Sequence, residues 1–262
     1  MRLFTVDAFT DTPFKGNPAA VCVLENPLTE AQYLDIAKEM NLSETAFVYL
    51  KDGVYQLRWF TPEVEIELCG HATLATAKIL FDKYKVETEV LKFNTLSGVL
   101  TVKQNDDLLE MNFPIGTLTQ VEEKDALLES ALMEKITTIS EDDKWYLAEL
   151  ESEETLINLK PNFSKLLEHS KSKFIVTAKS DGDSYDFVSR FFAPDYGINE
   201  DPVTGSAHCY LSSYWSHKLN KNTVVGYQAS KRGGTVECEV IENDRVLLRG
   251  NCVIMAEILP EW

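Results

Sequence analysis

The stretches "NLSETAF", "ELCGHAT" and "NEDPVTGSAH" hold the side chains best suited to move a proton or receive an anion. Gly70 and Gly205 each open a stretch that reads as a helix. A helix start leaves backbone N–H groups unpaired and carries a partial positive charge. Glycine lets a ligand approach that backbone closely, so two such starts could receive a carboxylate-sized anion without lysine or arginine. One glycine alone would be explained by a strand-to-helix turn; the pair favours an anion site. His71 and His208 fall in the first turns, where the helix dipole favours a neutral imidazole that can donate or accept. A lone histidine is more often a structural group, and His208 fits that description better than His71. Asp201, just before Pro202, could act as a base, hold an amine or hydroxyl, or only stabilise a helix start by ~0.5–1 kcal/mol. On spacing alone Glu44 reads as a surface glutamate. Walled by apolar neighbours, its carboxyl would instead have a raised pKa and could shuttle protons near neutrality.

Other chemistries are poorly supported. "VTGSAH" lacks the spacing of a serine nucleophile elbow. Cys69-x-His71 and His208-Cys209 lack the spacing of a common zinc site, and no metal is expected. No dinucleotide fingerprint follows a strand, and no phosphate-binding loop occurs.

The elements that must position these residues come twice. "RWFTPEVEIELCGHAT" begins at Arg58 and "RFFAPDYGINEDPVTGSAH" at Arg190, 132 positions later in a chain of 262. In each half a strand-rich region leads into a helix free of Asp, Glu, Lys and Arg until Lys78 or Lys218. A helix without a charged face must be buried all round, which suggests a sheet wrapped about it. Before the first of these, "LTEAQYLDIAKEMN" reads as a helix capped by Thr29 and Gln32, with Leu34, Ala37 and Met40 on one face. Residues 118–155 are acidic and mostly polar, with a weak helical pattern in "KDALLESALMEKI", and read as the least constrained region. "WYLAEL" and "TLINLK" read as strands. The architecture expected is α+β: two pseudo-symmetric halves, 1–116 and 117–262, each a rolled, mostly antiparallel sheet around a central helix. The active site is expected in a cleft between the halves, with the last residues free to pack back on the first.

At 44% hydrophobic and 26% charged residues, the chain has the composition of a soluble globular protein. A net charge of −17 disfavours nucleic acid and anionic membranes as partners. Five cysteines without a C-x-x-C pair argue for reduced thiols. With no signal-like start and no long apolar run, a cytoplasmic location is expected.

With "FTDTPFKGNPAAVCVLE", "MNLSETAFV", "FTPEVEIELCGHATLATA" and "EDPVTGSAH" in this order, the chain resembles the PhzF family of phenazine-biosynthesis-like isomerases. The resemblance implies the diaminopimelate-epimerase-like fold and an isomerase that needs no metal or organic cofactor. It assigns proton transfer to Glu44, and site roles to His71, Asp201 and Ser206. It places the substrate carboxylate at the helix starts of Gly70 and Gly205. Asn17, in "GNPAAV", would add a contact, and a homodimer is implied. The related epimerases use two cysteines at the starts of their central helices; Cys69 could match the first, but the second helix offers none. Amino-acid epimerisation with Cys69 and Asp201 is therefore the alternative, beside a binding protein without turnover. The substrate is expected to be a small carboxylate.

Overall fold

The alternating N-terminal sequence forms β1 (Arg2–Ala8) in the computed structural model, which describes residues 1–105 and 107–261. The chain divides into two units, one of residues 1–112 with those from 247 onward, the other of residues 113–246.

In the first unit β1 turns back into the antiparallel β2 (Asn17–Leu24). The turn needs glycine at position 16, where φ is +65° and a side chain would meet the Ala8 carbonyl oxygen. Helix α1 (Glu30–Met40) then crosses over to β3 (Thr45–Lys51), parallel to β2. Its capping box joins Thr29 and Gln32. The buried face is Tyr33, Ile36 and Ala37, with Leu34 and Met40 flanking it, so the stripe lies slightly to one side of the expected one. The aromatic rings of Tyr33, Phe47 and Phe60 set that stripe. A hairpin at Asp52-Gly53 leads to β4 (Val54–Phe60), to which the short β5 (Glu65–Ile66) pairs. Helix α2 (Gly70–Asp82) then crosses to β6 (Val90–Thr95), parallel to β4, and β7 (Gly98–Asn105) and β8 (Leu108–Pro114) continue antiparallel.

Residues 71–77 of α2 are all buried, because β1, β2, β3 and β7 pack around a stretch with no charge to solvate. Charge returns at Lys78, which pairs with Asp82 at 2.9 Å.

The second unit repeats the pattern. After β9 (Thr119–Val121) and α3 (Ala126–Leu132), β10 (Thr138–Glu141) pairs antiparallel with β11 (Trp145–Glu149). Helices α4 (Glu153–Asn158) and α5 (Phe163–Leu166) cross over to β12 (Lys173–Lys179), parallel to β11. Next come β13 (Phe187–Ala193) and the short β14 (Ile198–Asp201), both antiparallel to their predecessors. Helix α6 (Gly205–Leu219) crosses to β15 (Thr223–Gln228), parallel to β13, and β16 (Gly234–Ile241) closes the set antiparallel. The run β1–β2–α1–β3–β4–β5–α2–β6–β7 thus has its counterpart in β10–β11–α4/α5–β12–β13–β14–α6–β15–β16. After β17 (Arg245–Gly250), the final strand β18 (Cys252–Ile258) pairs with β1 in the first unit.

The repeated arginines do the same job in each unit. Arg58 on β4 holds Glu65 on β5 through two hydrogen bonds of 2.6 and 2.7 Å, and lies over the Phe60 ring. Arg190 on β13 holds Glu200 on β14 at 2.7 and 2.9 Å, and lies over Phe192. A two-pronged guanidinium–carboxylate pair fixes direction as well as distance. Each pair fastens the short strand that leads into a central helix.

Three expectations need correction. "TLINLK" belongs mostly to α4, because Ser152 caps a turn rich in Glu153 and Glu154, where acids favour the helix dipole. Residues 118–155 are not loosely held: Leu128, Ala131, Leu132, Ile139, Tyr146 and Ala148 enter the core of the second unit. And α6 is not buried on every side, since Ser206, His217 and Lys218 are exposed and Tyr214 donates to Glu149 at 2.6 Å. Its serines and tyrosines carry no formal charge but can face water.

Among the described residues, no helix is long and apolar enough to cross a membrane.

Candidate active site

Parallel pairing of β2 with β3 sets the position of Glu44. The Ala20 N–H donates to the Glu44 carbonyl at 3.3 Å, and Asn17 opens β2 three residues earlier, fully buried. Glu44 precedes the apolar run of β3, so its side chain is only 12% exposed. The surface-glutamate reading is therefore wrong: strand pairing carries this residue inside. Burial pushes the Glu44 carboxyl above the usual range, and the neighbouring Ser43 hydroxyl offsets this only in part.

The start of α2 meets this carboxyl. His71, 7% exposed, has Nε2 3.3 Å from Glu44 Oε2. On the other side of the ring, Nδ1 is 3.5 Å from Cys69 Sγ. Thiol, imidazole and carboxylate thus form a chain of three groups through one ring. Cys69 is the N-cap of α2, but its side chain makes no capping bond, and Gly70 follows as the first helical residue. The donor atoms of Glu44, Cys69 and His71 all lie within 4.8 Å of one another, so these three could also hold a metal ion. Sequence spacing concealed that grouping, because Glu44 joins only through the fold.

In the second unit Asp201 ends β14 and Gly205 begins α6. The Thr204 hydroxyl donates to the Asp201 carboxylate in a short contact. Gln228, fully buried on β15, ties the turn together. Its Oε1 accepts from the Thr204 N–H at 2.8 Å, and its Nε2 donates to the Asp201 carbonyl at 2.7 Å. Sequence reasoning missed Gln228; nothing in "TVVGYQAS" distinguishes it from an ordinary strand residue. The Thr204 side chain does not cap α6, Gly205 is buried and Ser206 is exposed.

His208 is structural. It is fully buried, its Nδ1–H donates to the Thr204 carbonyl at 2.8 Å, and burial pushes its pKa down to about 4. Cys209 faces the core beside the Gly205 carbonyl, with its thiol pushed up to about 12 by burial. Such a thiol is a poor nucleophile.

The structure superimposes on a probable proline racemase from Agrobacterium radiobacter with a TM-score of 0.62, covering 99% of this chain and 92% of that one. At 9% identity the likeness is one of fold, that of the racemases and epimerases. Nearer relatives narrow the class. Residues 6–258 match the family model described as "Phenazine biosynthesis-like protein". An uncharacterized isomerase from Halalkalibacterium halodurans is 46% identical over 252 residues, 96% of this chain and 95% of that one. The crystal structure of a PhzF family protein from Enterococcus faecalis matches with a TM-score of 0.93 and 46% identity, covering 98% and 97% of the two chains. The chain belongs to the phenazine biosynthesis-like family, and it is an isomerase.

Proposed function

We propose that this isomerase moves a proton between atoms of a small carboxylate-bearing substrate, without a bound cofactor, using Glu44 as both acceptor and donor of that proton. The observation that carries the reading is the buried Glu44 carboxyl, its pKa raised, 3.3 Å from the His71 ring. A carboxylate in that state takes a proton more readily near neutral pH than an exposed one, and can return it. Proton transfer within one molecule changes no oxidation state, so a base, an acid and an orienting group are sufficient. Catalysis by a positioned side chain of this kind is worth ~10²–10⁴-fold.

His71 supplies orientation or a proton on the substrate side of Glu44, and Asn17 an added contact. Gly70 offers the first-turn N–H groups of α2, which the Cys69 side chain does not cap, to an anionic oxygen. In the second unit the same reading gives Gly205 and Ser206 a carboxylate-binding role, and Asp201 that of holding a polar substrate group. A two-thiol epimerase is disfavoured: α6 has Thr204 at its N-cap, and Cys209 is buried one turn further on. The protein is taken as a cytoplasmic homodimer, which sedimentation at several concentrations would check.

The test is incubation in ²H₂O with a panel of small aromatic and cyclic amino and hydroxy acids, followed by mass spectrometry. At least one acid should gain carbon-bound deuterium, and its decarboxylated analogue should gain none. Equal labelling of the decarboxylated analogue would contradict the carboxylate requirement.

A further inference from the structure

We propose that Cys69 is a positioning residue that sets the proton arrangement of His71, so that the imidazole presents an Nε2–H group to Glu44. The inference deepens, and rests on, the reading of Glu44 as the proton carrier. A neutral imidazole has one N–H, so one ring nitrogen donates and the other accepts. Nε2 lies 3.3 Å from Glu44 Oε2, an electrostatic contact without the alignment of a hydrogen bond, and an ionised carboxylate offers that nitrogen only negative charge and acceptor sites. When Glu44 is in its proton-accepting form, the compatible arrangement has hydrogen on Nε2. Nδ1 must then accept, and Cys69 Sγ lies 3.5 Å from it as a donor. With the hydrogen on Nδ1 instead, the Nε2 lone pair would face the carboxylate.

The helix start explains why a cysteine is suited to this. An N-cap Ser, Thr, Asp or Asn turns its oxygen back to accept from the first-turn N–H groups. Sulfur is a weak acceptor, and the Cys69 side chain makes no such bond, which leaves the thiol directed at the ring two residues on. The Thr73 hydroxyl donates to the Cys69 carbonyl at 2.6 Å, beside the helical N–H bond of 3.2 Å to the same oxygen. The Cys69 backbone is thereby held from below. Cys69 and His71 are both buried, so water competes little for Nδ1. Groups that orient a metal-binding histidine through its other ring nitrogen commonly change activity ~10–100-fold when removed, and an effect at the lower end of that range is expected here.

The experiment uses the full-length protein, labelled with ¹⁵N, without substrate. Long-range ¹H–¹⁵N spectra should show His71 with hydrogen on Nε2. In Cys69→Ala the two arrangements should mix, and in Cys69→Ser, which keeps an O–H donor, the Nε2–H form should return. With a substrate in hand, kcat should fall about ten-fold in Cys69→Ala with KM within about two-fold, and largely recover in Cys69→Ser. Hydrogen on Nδ1 in the wild-type protein would overturn the proposal, even if neither variant folds. So would an alanine variant with unchanged spectrum and kcat. A serine variant as impaired as the alanine variant, with a wild-type ring spectrum, would show the thiol itself reacting and would also overturn it. The spectra involve no turnover, so an Nε2–H ring combined with an active Glu44→Gln enzyme would sink the functional reading and leave the ring assignment standing.

Discussion

Glu44 Oε2 and His71 Nε2 lie 3.3 Å apart, with both side chains shielded from solvent. One comes from the residue before a strand and the other from the first turn of a helix, so the contact depends on the whole β2–β3–β4–α2 arrangement of the first unit.

The rate should depend on pH through this carboxyl. As a base Glu44 must be ionised, and burial raises its pKa. Activity should therefore fall on acidification earlier than an ordinary glutamate would dictate. A profile of kcat/KM against pH checks this, with the acid limb lying above the usual glutamate range.

Stability should show the opposite side of the same shift. A carboxyl whose pKa is higher folded than unfolded costs nothing while protonated in both states, and costs most when pH exceeds both values. Glu44→Gln should therefore be more stable than wild type at pH 7. The advantage should shrink as pH falls through the folded value and vanish below the unfolded one. Urea unfolding at pH 7 and at pH 3 measures the difference.

The duplicated ion pairs should differ in worth. Arg190 has an 11% exposed side chain and also donates to the Leu159 carbonyl at 2.6 Å. Its loss would leave Glu200 and a buried carbonyl without their donor. Arg190→Ala should cost about 3 kcal/mol, as removal of one partner of a buried pair does. Arg58, at 24% exposure, should cost less on replacement, because its partners Glu65 and Glu30 are carboxylates that water can reach, whereas Arg190 also serves a buried carbonyl. Denaturant midpoints of the two variants decide the order.

The trio Glu44, Cys69 and His71 offers oxygen, sulfur and nitrogen within 4.8 Å of one another, a donor set that suits zinc or cadmium. Micromolar Zn²⁺ should inhibit turnover, and a chelator should restore it. Cys69→Ala should need on the order of ten times more metal for the same effect. Inhibition unchanged in that variant would place the metal elsewhere.

Much of this arrangement was legible in the sequence. The Arg58 and Arg190 motifs signalled the repeat because each arginine holds a glutamate on the next short strand, seven residues on in the first unit and ten in the second. The charge-free run after Gly70 signalled a wrapped helix because no side chain in it calls for water. Burial of Glu44 could not be read, since a glutamate between serine and threonine reads by itself as a surface residue. Only the pairing of β2 with β3 decides it. Gln228 was equally hidden, because its partners at 201 and 204 come from another element. The failure at "TLINLK" was one of competing signals: apolar residues at 156, 157 and 159 suggested a strand, while Ser152 and two glutamates capped a helix. In the stretch from 118 to 155, an acidic surface masked an i, i+3, i+4 set at Leu128, Ala131 and Leu132.

Glu44→Gln keeps the shape and removes the acid, so it isolates proton transfer from binding. With any acid that the wild-type enzyme labels in ²H₂O, the variant should bind within a few-fold by calorimetry. It should incorporate deuterium at least ~10²-fold more slowly. Undiminished incorporation by the variant would contradict the account.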